Sequence, residues 1–93
     1  MIGREFAETV ALQALGWLAG EEARLGAFLA VSGTGPGELR ARAQDPEMMA
    51  AVLDFVLSED GHVLEFTAAA GLRPEAVQEA RAALPGGNLP HWT

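Results

Sequence analysis

The chain has 93 residues, 49% of them hydrophobic, and a formal net charge of −7 from thirteen acidic and six basic residues. This length allows at most one ordinary domain, and the hydrophobic content is that of a globular protein rather than a disordered one. The absence of cysteine excludes disulfides, thiolate catalysis and cysteine-ligated metals, and the acidic balance disfavours binding to nucleic acid or anionic membranes.

The first half of the chain is predicted to contain three helices, because residues of high helix propensity dominate it. The first helix runs over about residues 4–19, and Gly20 is its natural stop. The second opens at Glu21 and ends at Gly33, and Pro36 opens a short third helix. One stripe of the first helix is apolar and includes Phe6, Val10, Ala14 and Trp17.

The fourth helix has the clearest start signal in the sequence. Residues 45–47, Asp-Pro-Glu, supply a capping side chain, a proline for the first helical position and an acid for the first turn. From Met49 to Leu57 the segment is apolar on nearly all sides, with Asp54 as the only charge. A helix of this kind is predicted to lie at the centre of the fold.

Two further helices and a tail complete the chain. The fifth helix follows the break at residues 58–61 and stops at Gly71, and the sixth runs over residues 74–84. We therefore expect an all-α protein, a compact bundle of five to six short helices, in one domain over residues 1–85. Residues 86–93 are expected to form a C-terminal tail.

A shift of 38 positions relates the two halves of the sequence. Gly33 and Gly71 have this spacing, and so do Pro36 and Pro74. The same shift pairs Phe28 with Phe66, Leu25 with Val63, Leu39 with Val77, Trp17 with Phe55, Leu15 with Leu53 and Glu22 with Asp60. The pattern predicts two pseudo-repeated three-helix units that pack pseudo-symmetrically, although helix–Gly–turn–Pro–helix is a common order that also arises by chance or convergence.

Residues 66–81 also have the order of a DNA-binding helix-turn-helix, with Gly71 at the turn. In the second helix of this motif, only Arg73 and Arg81 are available for phosphate contacts, which supply most of the affinity for nucleic acid. The exposed positions are instead acidic or polar: Glu75, Gln78 and Glu79. A helix-turn-helix nucleic-acid binder is therefore the alternative interpretation, and nucleic acid is not expected as a partner.

Catalytic and cofactor motifs are weak in this sequence. Residues 59–65, EDGHVLE, gather Glu59, Asp60, His62 and Glu65, which suits a metal or acid–base site but equally a solvated helix start. The glycine-rich segment 33–37 lacks the lysine of a phosphate-binding loop and follows a helix rather than a strand. We expect a protein without catalytic residues and without a cofactor.

Four residues are candidates for contact with a protein partner. Met48 and Met49 suit an adaptable apolar groove, although methionines at such positions also fill cores. Leu89 and Trp92 lie in the tail, which either docks on the bundle, is disordered or serves as a recognition segment.

The chain resembles a small all-helical family known mainly from alphaproteobacteria, the domain of unknown function 3572 family. The resemblance covers residues 7–87 and depends on ALQALGWLA, LGAFLAVSG, LRARAQDPEMMAAVLDFVL and GLRPEAVQEARAALPGG. The chain departs from the family pattern at Met48–Met49, where an aromatic–Leu pair is usual, and at Gly61. The resemblance implies a helical fold but no activity, cofactor or catalytic residue.

The function expected from these observations is that of a non-enzymatic protein–protein interaction domain. Its partner is an unidentified protein or a second copy of the chain, and no membrane is expected among its partners. No apolar stretch approaches the roughly 20 residues that span a bilayer, and the start MIGREFAETV lacks the pattern of a signal peptide. We therefore expect a soluble cytoplasmic protein.

Overall fold

A computed structural model describes residues 3–84 of the chain, and these residues form six α-helices without any strand. The helices are α1 (Arg4–Ala19), α2 (Glu22–Ser32), α3 (Pro36–Ala41), α4 (Pro46–Leu57), α5 (Asp60–Ala70) and α6 (Glu75–Ala82). The prediction of an all-α bundle is therefore confirmed. The sixth helix is shorter than the sequence predicted and ends at Ala82.

Local signals in the sequence explain where these helices begin and end. At the start of α4, the Asp45 Oδ1 atom accepts a hydrogen bond of 2.9 Å from the Glu47 backbone N–H, and Pro46 holds the first helical position. The helices α2 and α5 both end at a glycine with φ of +70°, Gly33 and Gly71. This left-handed conformation costs a residue with a Cβ atom about 1–2 kcal/mol, so glycine stops both helices.

The helices α1 and α4 together form the centre of the bundle. Each packs against the other and against α2, α5 and α6. On α4 the side chains of Val52, Leu53 and Val56 are almost fully buried, and each such burial contributes about 1.5–3 kcal/mol to folding. The predicted central role of α4 is therefore what the structure shows, and α1 shares it.

Met48 and Met49 lie in this core and not on the surface. They are only 4% and 3% exposed. Because neighbouring helices cover α4 on several sides, its apolar residues near the N-terminus are buried along with the rest. This placement corrects the expectation of a methionine-lined partner groove, and the core-filling alternative describes both residues.

The first two helices of the two units have the same design. The helices α2 and α5 both contain 11 residues, and their bounds differ by the predicted 38 positions. The ends of α1 and α4, Ala19 and Leu57, have the same spacing. In space, α1 packs on α2 as α4 packs on α5, and α1 contacts α5 as α4 contacts α2. The helix bounds and the contacts among these four helices therefore follow the predicted 38-position shift.

The third helices, α3 and α6, depart from that symmetry. Helix α6 packs against both α1 and α4, whereas α3 has no comparable contact with either of them in the described part of the chain. At the buried positions Ala76 and Ala80 of α6, the other half has Glu38 and Arg42. A charged side chain is costly to bury between helices, whereas alanine lets backbones approach. The arrangement of the two units is therefore symmetric only in part.

Candidate functional site

Two pairs of aromatic rings connect the central helices to α2 and α5. The ring centroids of Trp17 and Phe66 are 5.8 Å apart, and those of Phe28 and Phe55 are 5.6 Å apart. The two pairs are related by the 38-position shift, since Trp17 corresponds to Phe55 and Phe28 to Phe66. The repeat therefore extends from helix ends to the tertiary contacts of individual side chains.

In each pair, a polar side chain covers the ring that belongs to a central helix, which is Trp17 on α1 and Phe55 on α4. The Arg24 guanidinium carbon lies 4.1 Å from the Trp17 ring centroid, and the His62 ring stacks on Phe55 with centroids 5.1 Å apart. Arg24 and His62 are again 38 positions apart, and each lies 3.8 Å from a glutamate oxygen three residues earlier: Arg24 Nη1 from Glu21 and His62 Nε2 from Glu59. Arg24 Nε and His62 Nδ1 are both buried without a hydrogen-bond partner among residues 3–84.

His62 departs from the solvated helix start that the sequence suggested. Its side chain is only 20% exposed, because its ring lies between Phe55 and Trp17, whose centroid is 5.8 Å away. Glu59 and Asp60 do lie on the surface at the start of α5. Within residues 3–84, no three histidine, aspartate or glutamate side chains are arranged to hold a metal ion. The histidine is a packing residue of the aromatic cluster in this structure.

An apolar groove lies between α2 and α4, above the Phe28–Phe55 ring pair. It has a volume of about 380 Å³ and is lined by Phe28, Val31, Ser32, Ala51, Asp54, Phe55 and Ser58. Val31 is 77% exposed at its edge. We call it the α2–α4 groove. Concave apolar surfaces with a few polar groups at their edges are typical of binding sites.

A second groove occupies the equivalent place between α1 and α5. It has a volume of about 290 Å³ and is lined by Gln13, Trp17, Phe66, Ala69 and Ala70. Each of these residues corresponds, by the 38-position shift, to a lining residue of the α2–α4 groove. We call it the α1–α5 groove. The shared backbone design therefore creates two related grooves with different rims.

Charge is distributed unevenly around the α2–α4 groove. Its one acidic lining residue is Asp54, and the Asp54 Oδ1 atom accepts a hydrogen bond of 2.7 Å from Arg81 Nε on α6. Residues 25–37, which include most of α2, carry no ionisable side chain. The exposed residues of α2 after Glu22 are Ala23, Gly26, Ala27, Ala30 and Val31.

Residues 66–81, the segment of the alternative helix-turn-helix interpretation, have few free basic groups for phosphate. The two arginines are paired with acids: Arg73 Nη2 lies 2.8 Å from Glu79 Oε1, and Arg81 pairs with Asp54. One face of α6 is buried against the bundle, and Glu75 and Gln78 are on its exposed side. The helix therefore presents acidic and amide groups to solvent.

The structure places the candidate interaction residues away from both grooves or does not describe them. Met48 and Met49 are in the core, and Leu89 and Trp92 lie outside the described residues. Val31 and Ala51, which line the α2–α4 groove, could not be singled out from the sequence, because a valine and a helical alanine give no signal by themselves. The 38-position pairing of Trp17 with Phe55 was the available signal, since it marks where the two ring pairs form.

No helix within residues 3–84 is both long and apolar enough to cross a membrane.

Comparisons with known proteins identify the chain only at the level of a family. No curated protein and no solved structure is significantly similar to the chain. The profile of the family described as "Protein of unknown function (DUF3572)" matches residues 4–87. Since this match covers nearly the whole sequence, the chain belongs to that family.

Proposed function

We propose that this chain is a non-enzymatic, cofactor-free cytoplasmic protein–protein interaction domain that binds through the α2–α4 groove. The observation that carries the proposal is the position of Val31. This apolar side chain is 77% exposed and lies at the rim of an apolar groove whose lining includes Phe28 and Phe55. Isolated exposed valines are ordinary, but one that adjoins an apolar concavity enlarges the surface that a partner can cover.

The composition of the groove fits a protein ligand. Hot spots of protein interfaces are pockets with aromatic side chains that exclude water around an inserted apolar group. The Phe28–Phe55 ring pair provides such a lining, and Ser32, Asp54 and Ser58 provide polar groups for orientation. Among the residues of the groove there is no histidine or other side chain paired for proton transfer.

The same surface argues against nucleic acid as the partner. Neither the α2–α4 groove nor the exposed side of α6 carries an unpaired cation, and the chain has a net charge of −7. Phosphate contacts from arginine and lysine supply the sequence-independent affinity for nucleic acid. We therefore propose a protein partner rather than a nucleic acid.

A matched pair of substitutions tests the proposal. Val31→Glu places a charge at the rim of the α2–α4 groove, and Ala69→Glu places the same charge at the equivalent position of the α1–α5 groove. Both residues are exposed, and both lie in the last turn before an equivalent left-handed glycine. The two substitutions therefore have the same unfavourable interaction with the helix dipole, about 0.3–1 kcal/mol, and neither should unfold the chain.

Affinity capture from the native cytoplasm is the measurement. Proteins retained by the wild type and by Ala69→Glu, but lost with Val31→Glu, would identify partners of the groove. If Val31→Glu retains the same proteins as the wild type, the groove is not the binding site. Equal melting temperatures of the two variants control for stability.

A further inference from the structure

We infer that the occupant of the α2–α4 groove is the same face of a second copy of this chain, with Val31 of each copy inserted into the groove of the other. The inference deepens the proposed function, because it names the partner of the groove on which that function rests. Three observations on this face support it: the position of Val31 beside the groove, the absence of ionisable side chains over residues 25–37, and the small residues on the outer side of α2.

The first observation is that a projecting side chain and a cavity adjoin on one surface. A two-fold interface uses the same patch on both subunits, so that residue i of one copy contacts residue j of the other, and the reverse. Val31 projects at the edge of a groove of about 380 Å³, which is large enough for an isopropyl group. A two-fold axis near the end of α2 brings each Val31 to the Phe28–Phe55 ring pair of the other copy.

The second observation concerns charge. Two copies of a chain with a net charge of −7 repel each other, so a stable contact needs a face with few acids. Residues 25–37 carry no ionisable side chain, and the one acid that lines the groove, Asp54, is paired with Arg81. The equivalent face of α5 contains Glu65, at the position that corresponds to Ala27. Contact between two copies through α5 would therefore bring like charges together.

The third observation is the size of the outward-facing residues of α2. Gly26, Ala27 and Ala30 are exposed and present almost no side-chain bulk. Small residues let the backbones of two helices approach closely, which increases the contact made by the larger Val31 and by the rim of the groove. The face therefore suits a second helix whose outward side chains are also small, and α2 of a second copy is such a helix.

Mass measurements on the full 93-residue chain test the inference. We expect sedimentation equilibrium over about 1 µM to 1 mM to give twice the chain mass of 9.8 kDa for the wild type at high concentration. Ala69→Glu should dimerise like the wild type. Val31→Glu should be monomeric over the whole range, because it would bury a carboxylate in an apolar groove.

Mixed single-cysteine variants locate the contact without disturbing it. The natural chain has no cysteine, so Val31→Cys and Ala51→Cys can be made on chains with different mass tags and mixed. A disulfide needs Cβ atoms about 3.8 Å apart, so a cross-linked heterodimer shows that position 31 of one copy reaches position 51 of the other. The control is the equivalent pair of the other groove, Ala69→Cys with Gln13→Cys, which should not cross-link.

The outcomes separate this inference from the proposed function. A wild type that is monomeric up to millimolar concentration overturns the inference, as does a Val31→Glu variant that still dimerises. If that monomer nevertheless captures a protein that Val31→Glu loses, the occupant is a different protein and the proposed function stands. If dimerisation depends on Ala69 and not on Val31, the α1–α5 groove is the interface and the inference is wrong.

Discussion

The α2–α4 and α1–α5 grooves occupy equivalent places in the two halves of the chain, yet their rims are different. Both are lined by a pair of aromatic rings, Phe28 with Phe55 and Trp17 with Phe66. The exposed Val31 of one groove corresponds to Ala69 of the other, and Ala51 corresponds to Gln13. The backbone design thus sets where a groove forms, and a few rim residues set which groove suits an apolar ligand.

The third helices of the two units, α3 and α6, also have similar starts but different side chains and different packing. Both come after a left-handed glycine and have a proline at their start, Pro36 as the first residue of α3 and Pro74 directly before α6. Only α6 packs against both α1 and α4, where Ala76 and Ala80 are buried. The equivalent Glu38 of α3 and Arg42, which follows α3 directly, instead form an ion pair of 3.5 Å. The unit with the two charged residues thus has a third helix that contributes only Leu39 to the core.

Placing the charged residue of the first unit at the equivalent position of α6 should have the largest effect on stability. Ala80→Arg gives α6 the residue that follows α3 at a fully buried position, which forces an unpaired guanidinium between α1 and α4. We expect it to reduce the free energy of unfolding by at least about 4 kcal/mol, since burying an unpaired charge is among the most destabilising changes. The measurement is urea denaturation followed by circular dichroism.

The matched control is Arg42→Ala, at the residue directly after α3. It removes partly exposed ion pairs with Glu38, Asp45 and Glu47, which are worth about 0–1 kcal/mol each. If Ala80→Arg is as well tolerated as Arg42→Ala, the packing of α6 does not explain why the two units differ.

Removing the equivalent phenylalanines should have the next largest effect and should be equal in the two halves. Phe28 and Phe66 are both 1% exposed, and each packs against one central ring. We expect Phe28→Ala and Phe66→Ala each to reduce the free energy of unfolding by about 3–5 kcal/mol, because each leaves a cavity. Denaturation curves of the two variants measured side by side would contradict the pseudo-symmetry if only one were strongly destabilised.

Substitution of the two left-handed glycines should have a smaller effect, again equal in both halves. Gly33 and Gly71 both have φ of +70°, and a Cβ atom added at either meets no atom within 4 Å. The cost of Gly33→Ala and of Gly71→Ala is therefore that of the backbone conformation alone, about 1–2 kcal/mol. Gly26→Ala in the middle of α2 is the control and should stabilise the chain by about 0.5–1 kcal/mol. Thermal unfolding of the three variants checks both signs.

Much of the fold could be predicted because its signals are local. A capping aspartate, a proline at the first helical position and a glycine at a helix end act within one turn of helix, so they can be read without knowledge of the partner helices. The bounds of α1, α2, α4 and α5 follow them closely. The 38-position shift was also visible, because equivalent helices repeat equivalent apolar positions.

The candidate site could not be predicted in the same way. An apolar residue is buried or exposed according to whether another helix covers it, and this depends on contacts between distant parts of the chain. Met48 and Met49 are covered by the bundle, whereas Val31, equally apolar, is left open. His62 is drawn among the rings of the cluster although its neighbours in sequence are solvated acids.

The sequence by itself therefore determined the helical class, the positions of most helix ends and the 38-position shift between the halves. These depend on backbone propensity and capping, which neighbouring residues decide. Only the tertiary structure decided that α6 and not α3 packs against both central helices, that Arg24 and His62 cover equivalent rings, and that the grooves differ at Val31 and Ala69. The physical reason is that an apolar residue is buried only where another helix packs over it. Which helices pack together depends on contacts between residues far apart in the sequence.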